Sequence, residues 1–479
     1  MSKYRIERDC LGEMEIPDNC YYGIQTTRMM GVSGCANLPV SFFPDMHKAL
    51  AQIKKAAARA NNKIGAMNDD IAEAIAQACD EIIEGKFADQ FPLDMWQGGG
   101  YTCVNMNINE VVGNRANEIL TGKKGSDRVH PNTHVNMGQS TNDTIPSATH
   151  LGMIARFDEL VRELGLLSVS LRAKERKFKD VVKVGRTCLQ DALPLTLGQE
   201  FGGYASVIER LKGQAVSMRA GCFEIVMGGS AVGTGFSAEP GYMDAFYAEI
   251  SKQYGQTITP MKDLFDGFQN ADFIVEVSGL VKKVAMTLSK ISKDLRILGS
   301  GPRSGLMEIN LPALSPGSSI MPGKINPTVP EMVIQISHQV AGNDVAISMA
   351  YDEGELDLNV WDATFYKCLF ESFQLVNAEL PILRKHCIDG ITANKERCEK
   401  EANASIALST AVAAALGYPL GVKVAHYCEK NNLSVKEAVV RMGLMTSKEA
   451  DKLVNPMLMT NPKAAAQAVA EFKKEKHLI

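Results

Sequence analysis

The chain has 479 residues, 45% hydrophobic and 22% charged, enough apolar material for a large core and for two or three domains. With 51 Lys and Arg against 55 Asp and Glu the net charge is −4, and neither sign forms a long block, which speaks against nucleic acid or an anionic membrane as partner. No apolar run approaches the roughly 20 residues that span a bilayer, and the opening Met1-Ser-Lys-Tyr-Arg-Ile-Glu-Arg-Asp9 lacks the apolar stretch of a signal peptide, so a cytoplasmic protein is expected.

Low aromatic content with abundant Ala, Leu, Met and Glu favours helices. Strand signals are few, short and confined to the N-terminus. Helical candidates follow at about 45–62 and 70–85. Gly98-Gly-Gly100 then breaks the chain ahead of Tyr101 and Thr102, and Pro131 and Pro146 bracket a polar loop. Phe157, Leu160, Val161, Leu164, Leu167 and Leu171 recur at helical spacing, with Arg156, Glu159 and Arg162 between them. A candidate at 199–220 precedes the Gly/Ser/Thr stretch from Gly228 to Gly235. Leu280, Val284, Leu288, Ile291, Leu295 and Leu298 form one apolar stripe, with Lys282, Lys283, Lys290 and Lys293 off it. Ser300-Gly-Pro302 ends that helix, Pro312 to Pro327 is rich in Pro, Gly and Ser, and candidates at 329–351 and 361–385 follow. The spacing predicts an all-α protein with long central helices. Boundaries near 140 and 393 would separate an N-terminal region (1–140), a helical middle (141–393) and a small C-terminal region (394–479).

The 11 cysteines are odd in number and scattered without a CxxC pair, so neither a zinc site nor a redox motif is indicated. Most should be reduced, buried, small apolar residues.

Four polar segments interrupt the apolar periodicity. The first, Gln97 to Glu110, sets Thr102, Asn105, Asn107 and Asn109 behind three glycines, which let backbone approach a ligand closely. As plain structure it is a polar loop capping a helix. The second, His130 to Asp143, ends in Ser140-Thr-Asn-Asp143, an N-cap cluster whose free N–H groups and hydroxyls suit a carboxylate; simple capping is the alternative. His130 and His134 have no third ligand in view and read as surface histidines, not a metal pair. The third, Lys183-Val-Gly-Arg-Thr-Cys-Leu-Gln-Asp191, is a polar patch between helical runs. The fourth, Gly317-Ser-Ser-Ile-Met-Pro-Gly-Lys-Ile-Asn-Pro327, has the composition of a mobile lid over an anionic substrate, and a plain connection needs no such set of hydroxyls, Lys and Asn. These residues describe a helical enzyme binding a small polyanion, without naming its reaction.

The fourth segment closely resembles the signature loop of the aspartase/fumarase superfamily, Gly-Ser-Ser-x-Met-Pro-x-Lys-x-Asn-Pro. The likeness runs over nearly the whole chain. Tyr22-Gly-Ile-Gln-Thr-Thr-Arg28, Asn105-Met-Asn107, Gln139-Ser-Thr-Asn-Asp143, Gly185-Arg-Thr-Cys-Leu-Gln-Asp-Ala192 and Ser300-Gly-Pro-Arg303 stand in the family's order. The resemblance implies a three-domain, all-α lyase whose long helices form a twenty-helix core in a homotetramer, each active site being shared by three subunits. The implied chemistry is anti elimination from a succinyl unit to release fumarate, with no organic cofactor. By resemblance, Ser318 takes the proton beside the β-carboxylate, acting as an alkoxide. Lys324, Asn326, Ser319, Ser140, Thr141 and Asn142 would stabilise the doubly charged aci-carboxylate. Thr102, Asn142 and Thr187 would hold the departing amino group, and Met321 would help to seal the loop. Some members respond to divalent cations, for which this sequence offers no ligand set. In fumarases the segment matching His130 and Asn132 forms a second anion site.

Three features resemble the ammonia-releasing branch, with L-aspartate as substrate and fumarate and ammonia as products, more than the fumarases. Segment two reads Gln-Ser-Thr-Asn-Asp where fumarases have Gln-Ser-Ser-Asn-Asp. Segment three reads Thr187-Cys-Leu-Gln-Asp191, not Thr-His-Thr-Gln-Asp, and segment one is nearer Gly-Thr-Ser-Val-Asn-Met-Asn than Thr-Ser-Ser-Asn-Met-Asn. Ile325 is apolar where argininosuccinate and adenylosuccinate lyases carry a basic residue. Cys188 departs from the His or Gln that grips a substrate carboxylate in the ammonia-releasing branch, and a thiol is a weak donor. Tyr101, bulkier than the usual Gly, bears on pocket shape. A class II fumarase or a lyase for a substituted aspartate is the alternative. A silent scaffold would have no use for the intact polar set.

Overall fold

In the computed structural model, which describes residues 4–477, the chain opens on an antiparallel hairpin of β1 (Tyr4–Asp9) and β2 (Gly12–Pro17). Four helices follow: α1 (Ile24–Met30), α2 (Asp45–Lys63), α3 (Asp69–Ile83) and α4 (Thr102–Thr121). On α2 the buried positions are dominated by Ala49, Ala56, Ala57 and Ala60, small side chains that let α3 and a later helix, residues Tyr242–Tyr254, approach closely. The polar loop expected up to Pro146 is shorter than that. Residues Pro131–Val135 make one wide helical turn, and α5 (Thr141–Lys177) already contains Pro146 in its second turn, where the proline withdraws one N–H from the helix.

After α5 the structure departs from an otherwise helical expectation. Residues read as a polar patch form a second antiparallel hairpin, β3 (Val182–Thr187) and β4 (Gln190–Thr196), so strands are not confined to the N-terminus. Its inner strand is Val182-Lys-Val184, buried on both sides, and therefore shows no alternation to betray it. Two further pairings, Glu224–Ile225 with Thr259–Pro260 and Ile309–Asn310 with Thr392–Ala393, are two residues long each.

The remaining helices are α6 (Leu197–Arg219), α7 (Tyr242–Tyr254), α8 (Leu264–Gln269), α9 (Asp272–Leu298), α10 (Thr328–Asp352) and α11 (Asp362–His386), with seven more of at most 14 residues between Lys395 and Glu475. The stripe read on α9 is the buried one: Leu280, Val284, Leu288, Ile291, Leu295 and Leu298 are all at most 5% exposed. The Phe157–Leu171 stripe on α5 is buried too, apart from the partly exposed Val161. All-α describes the chain.

Two compact units interleave in sequence. One comprises residues up to 161 with 213–285 and 336–377; the other comprises 162–212, 286–335 and the stretch from 378 onward. Within the second, the short C-terminal helices close around their own core, which includes Leu408, Val412, Val424, Val439, Leu453 and Phe472. No helix among the described residues is long and apolar enough to cross a membrane.

Candidate active site

On the first unit the glycines before α4 do what their composition suggests. Gly99, Gly100 and Tyr101 take left-handed φ values of 76°, 57° and 55°, turning the chain sharply into the helix. Tyr101 does not reshape a pocket. Its ring is buried, edge-on to Tyr366 with centroids 6.3 Å apart, and its hydroxyl donates to the Met95 carbonyl at 2.6 Å. Thr102, exposed at the first position of α4, donates to the Gly99 carbonyl at 2.8 Å. The three asparagines are not in a loop. They lie on α4 and are buried, with Asn107 donating to the Gln90 carbonyl and Asn105 sharing Thr102's face of the helix.

Asn105 Nδ2 donates to Thr141 Oγ1 at 3.1 Å, which ties segment one to segment two. The start of α5 is a cap in its own right. Ser140 N–H donates to Asp143 Oδ1 at 2.9 Å, and Ser140 Oγ accepts from Asn142 N–H at 3.3 Å. Asp143, wholly buried, also accepts from Gly228 N–H and Ser230 N–H at 3.2 and 3.0 Å, while Asn142 Nδ2 donates to the Ala231 carbonyl. The Gly/Ser/Thr stretch is thereby fastened to the Ser140–Asn142 turn. Burial pushes the Asp143 carboxyl up to about 7, against the Ser140 and Ser230 N–H groups and the Lys54 charge, which favour ionisation. Ser140, Thr141 and Asn142 stay half-buried.

On the second unit Thr187 and Cys188 occupy the tip of the β3–β4 hairpin and are exposed. Cys188 and Leu189 are its two turn residues, and both hold left-handed φ values, 54° and 60°, which favour Gly or Asn. The loop from Gly317 to Asn326 closes on itself: Gly317 N–H donates to the Lys324 carbonyl at 2.7 Å, and Asn326 Nδ2 donates to the Gly317 carbonyl at 2.9 Å. A Cβ at Gly317 would sit 2.8 Å from both Asn326 N and Lys324 O, so the closure requires glycine. Inside it, Ser318 Oγ accepts from the N–H groups of Met321 and Ile320 at 3.0 and 3.2 Å. Those two donors are what an alkoxide at Ser318 needs. Ser319, Met321 and Lys324 are exposed, and Ile320 is 83% exposed.

Most of the network behind Thr141 escaped the sequence reading. Lys54 on α2 is fully buried and donates to Asn105, Asn136 and Gln139. Its only trace in the sequence is a lysine within an Ala-rich stripe. His130 and Asn132 line a cavity of about 1000 Å³ together with Arg5, Arg28 and Lys124. Its α4 residues, Cys103, Glu110 and Asn114, lie on the opposite face of that helix from Asn105. The described residues hold no group of three or more His, Cys, Asp or Glu arranged for a metal. All 11 cysteines are free, six of them buried.

A family model described as "Lyase" matches residues 12–342, and one described as "Fumarase C C-terminus" matches 408–461. The chain belongs to the aspartase/fumarase family of lyases. An aspartate ammonia-lyase of Bacillus sp is 40% identical to this lyase over 97% of the chain and 99% of the relative, and that of Bacillus subtilis is 41% identical over 98% of each. The mitochondrial fumarate hydratase of Saccharomyces cerevisiae is 42% identical over 96% of the chain and 95% of the relative. Among solved structures, a fumarate lyase:delta crystallin from Brucella melitensis superposes with a TM-score of 0.93 at 39% identity, covering 96% of this chain and all of that one. Class II fumarase from Schistosoma mansoni gives 0.92 at 32%, with the same coverage.

Proposed function

We propose that this lyase eliminates ammonia from L-aspartate to give fumarate. Relatives named for either branch are 40–42% identical over nearly the full length, so overall identity does not choose between ammonia and water. The feature that carries the choice is Leu189 at the β3–β4 hairpin tip, Thr187-Cys-Leu-Gln190, where the fumarase pattern has threonine.

Chemically, the Ser318 alkoxide takes a proton from the carbon next to the β-carboxylate, and the freed electron pair is delocalised into that carboxylate. The aci-carboxylate then collapses back to a carboxylate as a carbon–carbon double bond develops, and the C–N bond breaks with its pair going to nitrogen, releasing ammonia from the ammonium form. The Met321 and Ile320 N–H groups support the alkoxide. Lys324, Asn326, Ser319, Ser140 and Thr141 supply charge and donors to the developing dianion, each good donor lowering the barrier by on the order of 3 kcal/mol. Thr102, Asn142 and Thr187 hold the amino group, Cys188 takes the carboxylate-facing position, and Met321 covers the loop. This scheme uses no cofactor.

The chemistry divides between the two units, Thr102 and Ser140–Asn142 on one and Thr187, Cys188 and the Ser318 loop on the other. In this reading each site is assembled from three subunits of a cytoplasmic homotetramer. The separate C-terminal core supports the 394–479 region as a domain of its own beside 1–140 and 141–393.

Purified protein mixed separately with L-aspartate and with L-malate, and followed by fumarate absorbance, tests the function. Fumarate from L-aspartate is expected. Production from malate alone would make the protein a fumarase without its histidine, and silence with both would point to a substituted aspartate as substrate.

A further inference from the structure

The face of α2 that carries Lys54 is otherwise built for packing: Leu50, Ala51, Ala57 and Ala58 flank it and are at most 2% exposed. A buried ammonium is costly there unless every proton is used. All three are. They go to Asn105 Oδ1 at 2.7 Å and to Asn136 Oδ1 and Gln139 Oε1 at 2.9 Å, three neutral oxygens and no carboxylate. Asp143 on α5 and Cys79 on α3 act on the ammonium through space only, and burial lowers its pKa to about 7.

An amide has nearly the same shape with its oxygen and nitrogen exchanged, so packing alone does not choose which end faces which neighbour. A cation does choose, because only the oxygen end can face it. With its oxygen held by Lys54, Asn105 must turn Nδ2 toward Thr141 Oγ1 and Asn136 Oδ1, at 3.1 and 3.2 Å. Asn136 Nδ2 likewise turns to the Gln139 carbonyl, and Gln139 Nε2 to the carbonyls of Val135 and Met137. Thr141 therefore receives a hydrogen bond from behind, and its own proton cannot be spent on Asn105. It remains free to donate outward. Were Asn105 reversed, its oxygen would accept that proton and the outward donor would vanish.

We infer that Lys54 is a positioning residue that fixes the hydrogen-bond direction of Thr141, through Asn105, so that the Thr141 hydroxyl donates to a carboxylate of the bound dicarboxylate. The inference rests on the reading of Thr141 as a substrate-binding residue, and the experiment separates the two. Thr141→Val, Lys54→Met and the double variant are compared in the full-length protein by the Kd for fumarate and by KM and kcat. Thr141→Val alone should raise Kd and KM about tenfold, the loss of one hydrogen bond to a charged group. Lys54→Met should raise both by a similar factor and lower kcat to the same extent as Thr141→Val does, and should add nothing further when Thr141 is already Val. The same fold-loss from Lys54→Met in both backgrounds overturns the inference and leaves the site reading standing; no loss from Thr141→Val alone overturns both. Asn105→Asp covers the case in which Lys54→Met does not fold. An aspartate pairs with the lysine, keeping the fold, yet offers Thr141 an oxygen that captures its proton. Weaker fumarate binding in a protein as stable as the parent supports the inference, and unchanged binding overturns it.

Discussion

At Cys188 and Leu189 two non-glycine side chains accept left-handed backbone in a two-residue turn, at a cost of about 1–3 kcal/mol each. That cost presents the Cys188 side chain at an exposed tip where the family grips a carboxylate. Cys188→His should lower KM for L-aspartate several-fold with little change in stability, checked by initial rates beside a melting curve; an unchanged KM would remove the position from the binding set. Ser318→Ala leaves the loop closure through Gly317, Lys324 and Asn326 untouched, so turnover should disappear while the circular dichroism spectrum stays that of the parent. His47 makes a different point. It is 3% exposed, stacked on Phe91 at 4.6 Å, with Nδ1 unpartnered, and burial lowers its pKa from 6.5 to about 4, aided by the neighbouring Lys48 charge. The unfolded chain takes up the proton first, so the stability His47 contributes at neutral pH is lost as pH falls through 6.5 toward 4. Between pH 7 and 5 the loss is about 2 kcal/mol. His47→Phe should cancel that part, seen as a smaller drop in melting temperature between those pH values.

Among the elements, the β3–β4 hairpin owes its place to a buried ionic cluster. Lys183 Nζ lies 3.1 Å from Glu200 and 3.2 Å from Glu308, and Arg186 Nη1 lies 2.8 Å from Glu308, with Lys183 and Glu308 at most 2% exposed. Gly185, at the irregularity between Lys183 and Gly185, would carry a Cβ only 2.3 Å from the Leu193 carbonyl, so the strands meet this closely only with glycine there. Removing one member of a buried ionic cluster strands the others. Glu308→Gln should therefore destabilise the second unit by about 3 kcal/mol, read from urea unfolding. A shift below about 1 kcal/mol would mean that Lys183 is satisfied by Glu200 alone.

Across the whole molecule, the long helices carry apolar side chains that the chain itself leaves uncovered: Val169 on α5, Val216 on α6, Met286 on α9, and Val345 and Met349 on α10 are 49–65% exposed. Side chains of this kind, spread over four long helices, are what a helical core between subunits would bury. Light scattering should give four times 52.1 kDa, about 208 kDa, and a monomer of full activity would contradict sites shared between subunits.

Local pattern carried much of this protein into view. The heptad-like stripes on α5 and α9, the breaks at Gly98–Gly100 and Ser300–Pro302 and the Gly317–Pro327 loop are repeats or compositions readable within a few turns of chain, because a helix exposes its periodicity in consecutive residues. The β3–β4 hairpin was not readable, since a strand buried on both sides has no alternation, and its turn uses Cys188 and Leu189 where sequence rules look for Asn or Gly. The helical placement of Asn105 and Asn109 and the inward turn of Tyr101 were equally hidden, because propensity treats Asn as a loop residue while tertiary partners decide whether it can be buried. Above all, a lysine at position 54 says nothing by itself about Thr141, 87 positions further along. Only the fold brings α2, α4 and the start of α5 to one point, and there a single buried charge sets which end of each amide faces the site.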